Sequence, residues 1–245
     1  MTQLRPEYSI VPIIRCSEQL PIKEVLGTGF FVGQKNKPFI VTAKHVFEDN
    51  PLRKEEKYGY VFKGEKSIHV YSIPKIFGAE EYDVSVFEAA VFPEAVPLAF
   101  SKKQPALNDD VLCYEYSGTR IEKTQNSGTK VIFEPLAHKG NIMRYFDSEY
   151  PEKHKTSSFI VSFPALQGAS GAPVLAGMDK KSFYVAGMIV ANQERHLLPA
   201  QVVKIQDGEK YMEETSYFLP LGKALNSSVI VPILQGLSVE IEIVE

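Results

Sequence analysis

The sequence predicts an all-β protein, and three observations carry that prediction. Segments rich in Val, Ile, Phe and Tyr, mostly about four to eight residues long, recur at short spacing. Turn-forming Gly, Pro, Asn and Asp separate them, and sustained helical periodicity is scarce. In chain order, Gly29–Gly33 and Phe39–Ala43 are apolar runs split by the polar stretch Gln34-Lys35-Asn36-Lys37. Tyr58–Phe62 and Ile68–Ile73 combine aromatic and β-branched residues, and Val84–Ala89 has apolar residues at alternate positions. Val111–Tyr116 carries Tyr114 and Tyr116 in alternation, which reads as strand packing. Lys130–Ala137, Ser158–Phe163, Pro173–Ala176, Phe183–Val190 and Tyr217–Pro220 complete the strands, with a hairpin loop expected at Gly177–Lys181. Many short strands of this kind build a barrel or a sandwich.

Helix is expected near the C-terminus, around Leu221–Leu225, with a short turn at Ala43–Val46. The polar, Pro-containing stretch Ala99–Asp110 is the natural link between two lobes. Asn141–Ser157 reads as a long polar insertion, of the sort that is often functional. The tail Ser227–Glu245 alternates late on, which suits an added edge strand, docking on the barrels, or contact with a partner.

Whole-chain properties narrow the function classes. The 245 residues are 44% hydrophobic and 23% charged, those of an ordinary globular protein. A net charge of −3 gives no electrostatic case for nucleic acid. No apolar run approaches the roughly 20 residues that cross a bilayer, so no membrane contact is expected. The first seven residues lack a signal-peptide pattern, and Cys16 and Cys113 form no disulfide framework, so a cytoplasmic setting is expected. One bridge between those cysteines remains open beside two buried free thiols. His69, His138, His154 and His196 show no zinc-ligand spacing, and no metal or cofactor is expected.

The most informative stretch is Gln167-Gly168-Ala169-Ser170-Gly171-Ala172-Pro173. A serine hydroxyl attacks well only when a base takes its proton and something stabilises the oxyanion that forms. Glycine at 168 frees the backbone to turn two amides toward one point. His45, directly after the strand Phe39–Ala43, is the candidate base; a satisfied core histidine is the plainer alternative. Asp83, leading Val84–Ala89, is the candidate to orient it, against a simple turn-capping role.

Together the residues say more than each alone. Gly27-Thr28-Gly29-Phe30-Phe31-Val32 with Val41-Thr42-Ala43-Lys44-His45-Val46 resembles the first barrel of the trypsin-like (chymotrypsin-fold) serine peptidases. Tyr82-Asp83-Val84-Ser85-Val86-Phe87 is similar to the aspartate strand of that family, Gly168–Pro173 to its nucleophile loop, and Ala186–Val190 to the strand after it. Compact bacterial members of the high-temperature-requirement kind are nearer analogues than the disulfide-rich digestive ones.

The resemblance implies two packed six-stranded antiparallel β-barrels and a short C-terminal helix. Residues 1–100 would hold the first barrel with His45 and Asp83, residues 101–226 the second with Ser170, and 227–245 the tail. It implies a catalytic triad of His45, Asp83 and Ser170, and an oxyanion hole of the Gly168 and Ser170 amides. Substrate would be bound by Pro164, Gln167, Val190, Ala191 and Asn192; none is charged, so an uncharged, small to medium, mostly apolar side chain is expected before the scissile bond. Digestive members carry an aspartate where this chain has Ala169, so activation by a newly cut N-terminus is not expected. Ala172 stands where many relatives have glycine. The chain after Asn226 is too short for the peptide-binding modules of many bacterial relatives. The expected function is a serine endopeptidase acting on a protein or peptide substrate, with a regulatory partner protein in view. Its alternatives are a protease-fold scaffold with weak turnover and an esterase-type hydrolase.

Overall fold

The computed structural model describes residues 8–17, 21–65, 67–78, 81–123, 129–149, 155–177, 183–196, 200–206, 209–215 and 218–244. The first lobe comprises β1 (Ile10–Ser17), β2 (Ile22–Gln34), β3 (Lys37–Thr42), the single turn α1 (His45–Glu48), β4 (Glu56–Lys63), β5 (Ile68–Ser72), β6 (Phe77–Gly78) and β7 (Ser85–Glu88). These strands form one antiparallel sheet in the order β5-β4-β1-β2-β3-β7-β6. It counts seven strands where six were expected, because the two-residue β6 adds an edge beside β7. Phe31, Phe62 and Phe92 fill its interior, with the Phe62 and Phe92 rings stacked at 4.0 Å. Each such buried ring contributes about 2–3 kcal/mol relative to exposure.

The second lobe follows through β8 (Ala99–Ser101), β9 (Asp110–Glu115), the hairpin β10 (Arg120–Lys123) and β11 (Thr129–Ile132), β12 (Leu136–Glu149), β13 (Lys155–Val161), β14 (Pro173–Ala176) and β15 (Tyr184–His196). A second hairpin, β16 (Ala200–Gln206) and β17 (Glu209–Thr215), precedes β18 (Phe218–Asn226), α2 (Ser227–Gly236) and β19 (Ile243–Val244). Strands β14-β9-β12-β13-β18-β15 run round in that order, and β15 pairs again with β14. That last pairing closes the expected six-stranded barrel and removes its edges. Val111, Ile142, Phe159, Val161, Val174 and Ile189 pack its interior.

Four local readings are corrected. Strand β1 was not predicted, because Pro12 sits inside it. Its pairing with β4 covers only Ile13–Ser17, so the missing Pro12 N–H leaves no gap in that ladder. Leu221–Leu225 is strand, held between β13 and β15, where pairing overrides the helix propensity of Leu, Lys and Ala. The helix starts one turn later, at Ser227, where the Asn226 side chain accepts from the Ser228 amide at 2.9 Å. Ile230 and Leu234, one turn apart, bury its inner face.

The polar insertion is a hairpin arm instead of a loop. Strands β12 and β13 stay paired outward to Glu149 and Lys155, and residues 150–154, with His154, lie outside the described residues, as do 178–181 of the expected loop. The stretch has the polar composition of a loop, and the pairing that makes it an arm is set by the facing strand, which explains the misreading. After α2 the tail docks on the fold. Phe100 N donates to Glu242 O at 2.8 Å, and β19 joins β8 as a parallel edge strand. Cys16 and Cys113 are buried free thiols, one in each sheet.

Candidate active site

The pairing of β3 with β7 brings the first two candidate residues together. Thr42 is opposite Ser85, so the chain leaving β3 and the chain entering β7 meet at one end of the sheet. His45 lies three residues beyond the first and Asp83 two before the second. Tyr58 fixes α1 by donating its hydroxyl to the carbonyls of Phe47 and Asn50. Asp83 is buried, and one of its carboxylate oxygens accepts from the His45 amide at 3.0 Å. The other lies 2.8 Å from His45 Nδ1, which leaves Nε2 facing outward, 2.8 Å from Ser170 Oγ. Burial alone would lower the His45 pKa, but the hydrogen bond and charge of Asp83, with Asp49 and Glu48 nearby, outweigh it. The net effect holds the imidazole above its ordinary 6.5.

Ser170 lies in the second of two consecutive turns, directly before its glycine. Ala169 N donates to Leu166 O and Ala172 N to Ala169 O, each across a glycine of positive φ, +96° at Gly168 and +87° at Gly171. Glycine in the third position is what a type II turn requires. The amide of Gly171 donates to Ile189 O. Amides 169, 171 and 172 are thus bound to carbonyls, whereas those of Gly168 and Ser170 donate in none of the backbone hydrogen bonds among the described residues. These two amides belong to the nucleophile residue itself and to the residue two before it.

The first lobe holds this loop from across the cleft. Thr28 N donates to Ser170 O at 2.9 Å, and Thr28 Oγ1 donates to Gly168 O at 2.8 Å while accepting from Tyr116 N at 3.0 Å. Thr42 Oγ1 donates in turn to Thr28 O at 2.7 Å. Thr28 was noted only as part of a motif, and its role depends on contacts that no spacing encodes. Thr28→Val keeps the shape but strands two buried partners, so it should cost about 1–3 kcal/mol of stability. Its turnover should fall about 10- to 100-fold with KM little changed, measured by peptide kinetics, because the loop's donors act on the transition state. A side chain at Gly171 would collide with Thr28 O and Thr42 Oγ1 in a backbone region that already disfavours it. Gly171→Ala should therefore cost about 3 kcal/mol or more, read from the urea midpoint.

The sequence matches the trypsin-like peptidase domain over residues 27–182, well over half of the chain. The chain belongs to the trypsin-like peptidase family. It is a hydrolase of the serine endopeptidase class. Among solved structures it is similar to the Rv3671c protease from M. tuberculosis in its active form, at 17% identity and TM-score 0.58, over 94% of this chain and 80% of that one. The inactive form of that protease superposes at TM-score 0.54 and 17% identity, covering 94% and 89% of the two chains. At these identities the likeness concerns the fold. No curated protein matches the sequence.

Other expected site residues of this trypsin-like peptidase are distributed as follows. Val190 is buried, Pro164 half-buried and Asn192 exposed, with the Asn192 amide bonded to the Ala165 backbone. Ala191 is half-buried on the same strand. Gln167 and Gly168 together line a cleft of about 300 Å³, with Lys23, Tyr116, Ser117 and Ile121 on its other sides, so this cleft adjoins the nucleophile loop. Two further groups escaped the sequence reading. Lys223 on β18 holds its ammonium 5.7 Å from the centre of the Phe146 ring; burial lowers its pKa and the charge of Asp83 partly offsets this. Glu115 is fully buried and pairs with His138 at 2.7 Å and with the Ser117 hydroxyl at 2.8 Å. The Ser117 backbone packs against Gly168, so this cluster underlies the nucleophile loop. His138 thus has a carboxyl partner 23 positions away in sequence, a separation that gives no local signal. Among the described residues no cluster of His, Cys, Asp or Glu could hold a metal ion, and no helix is long and apolar enough to cross a membrane.

Proposed function

We propose that this peptidase hydrolyses peptide bonds in protein or peptide substrates through His45, Asp83 and Ser170 and an acyl-enzyme. The observation that carries the reading is the continuous hydrogen-bonded chain from Asp83 through His45 to Ser170 Oγ. In it His45 Nδ1–H donates to Asp83, so Nε2 has a lone pair directed at the hydroxyl. Ser170 Oγ attacks the scissile carbonyl carbon while its proton passes to Nε2. The carbonyl oxygen becomes an oxyanion against the amides of Gly168 and Ser170, the two donors that the turns leave uncommitted. Collapse breaks the C–N bond, and His45 returns its proton to the leaving amine. Water then attacks the ester, His45 takes its proton, and the Ser170 hydroxyl is restored.

Two buried free thiols support a reducing, cytoplasmic setting. The test is labelling with a fluorophosphonate alongside cleavage of a peptide library. The wild-type protein should take up one label per chain and cut internal peptide bonds. Absence of both would favour a scaffold, and label with ester turnover alone would favour an acyl hydrolase.

A further inference from the structure

We propose that Asn192 sets the substrate preference of this site by bracing the primary pocket shut to all but the smallest side chains. The inference rests on the peptidase reading above. Ile189 is bonded to the nucleophile loop on both sides of its peptide, through Gly171 N to Ile189 O at 2.8 Å and Ile189 N to Ala172 O at 2.9 Å. One edge of β15 pairs with β18 along Gly187–His196, and the other with β14 only as far as Met188. Among the described residues no strand pairs with that second edge from Val190 onward, so an extended peptide can lie along it beside Ser170.

The side chain before the scissile bond must then enter the slot between this edge and the segment Pro164–Ala165 that leads into the nucleophile loop. Gly222 forms the base of the slot. It is opposite Asn192 in register and donates its amide to Phe163 O at 2.6 Å. A methyl group at Gly222 would collide with Val161 and with that carbonyl.

Asn192 spans the slot from one wall to the other. Its Oδ1 accepts from Ala165 N at 2.7 Å, and its Nδ2 donates to Ala165 O. The primary amide therefore satisfies both backbone groups of one residue, as a neighbouring strand would. With the Asn192 amide bonded across it and Val190 itself buried, the slot would admit a hydrogen or a methyl group. Anything larger has to break two hydrogen bonds and leave the Ala165 amide without a partner.

The expected preference is about 10- to 100-fold in kcat/KM for Ala or Gly over Leu or Phe before the scissile bond, from a matched peptide series. Asn192→Gly should raise kcat/KM for Leu and Phe peptides about 10-fold or more and bring the ratio near one. Asn192→Ala, which retains an ordinary strand residue, should shift the ratio in the same direction, and thermal unfolding checks that both variants are folded. Wild-type protein that takes fluorophosphonate label yet cleaves after Leu or Phe as readily as after Ala overturns the brace alone. Variants with an unchanged ratio do the same, since the preference would then be set elsewhere. A wild-type protein that takes no label and cleaves nothing overturns the peptidase reading, and the brace with it.

Discussion

Ser170→Ala is expected to lower turnover by about 10⁶-fold and to abolish fluorophosphonate labelling, with the fold unchanged. The substitution removes one oxygen, whose partner is His45 Nε2 at 2.8 Å. The hydrogen bonds that hold the loop come from main chain and from Thr28, so the loop geometry does not depend on that oxygen. Two donor amides and the binding edge would remain, which predicts a residual rate above that of water. The double variant His45→Ala, Ser170→Ala sharpens the test. Groups that act as one unit are strongly non-additive, so the double variant should be hardly slower than Ser170→Ala alone. Independent, multiplying losses would show that the two residues do not act together. Rates from single-turnover assays and near-ultraviolet circular dichroism are the measurements.

Asp83→Asn is expected to lower kcat by about 10⁴-fold and to move the acid limb of the pH profile downward. The carboxylate does two things that an amide cannot. It accepts from the His45 amide and from Nδ1 at once, which selects the tautomer with a free Nε2. It also supplies the negative charge that, with Asp49 and Glu48, raises the imidazole above 6.5 against the opposing effect of burial. The sign follows from the role. A general base works only when unprotonated, so wild-type kcat/KM should fall as pH drops through a value above 6.5. With the charge of Asp83 gone, burial opposes fewer raising contributions, so the limb shifts to lower pH. A variant with full turnover, or with an unmoved acid limb, would remove Asp83 from the mechanism.

The candidate site was legible where residue identity is itself the requirement. A serine between two glycines, a histidine after one strand and an aspartate before another each keep their local context in the fold. The β3–β7 register then brings the last two within hydrogen-bonding distance. Local reading failed where the environment decides. Leu221–Leu225 is a run too short for periodicity to separate helix from strand, and its neighbours β13 and β15 settled the matter. In Val229–Leu234 a β-branched run masked a helix, whose Asn226 cap and buried Ile230–Leu234 face override propensity.

By itself the sequence determined the fold class and the family, and it singled out His45, Asp83 and Ser170, which the fold joins in one hydrogen-bonded chain, because these depend on residue type and order. Tertiary structure alone decided how the nucleophile loop is held and what closes the slot beside it. Thr28 reaches Gly168 across 140 positions, and Asn192 reaches Ala165 across 27. A hydrogen bond is set by distance and direction in space, and strand pairing brings those partners together without leaving a mark on the local sequence.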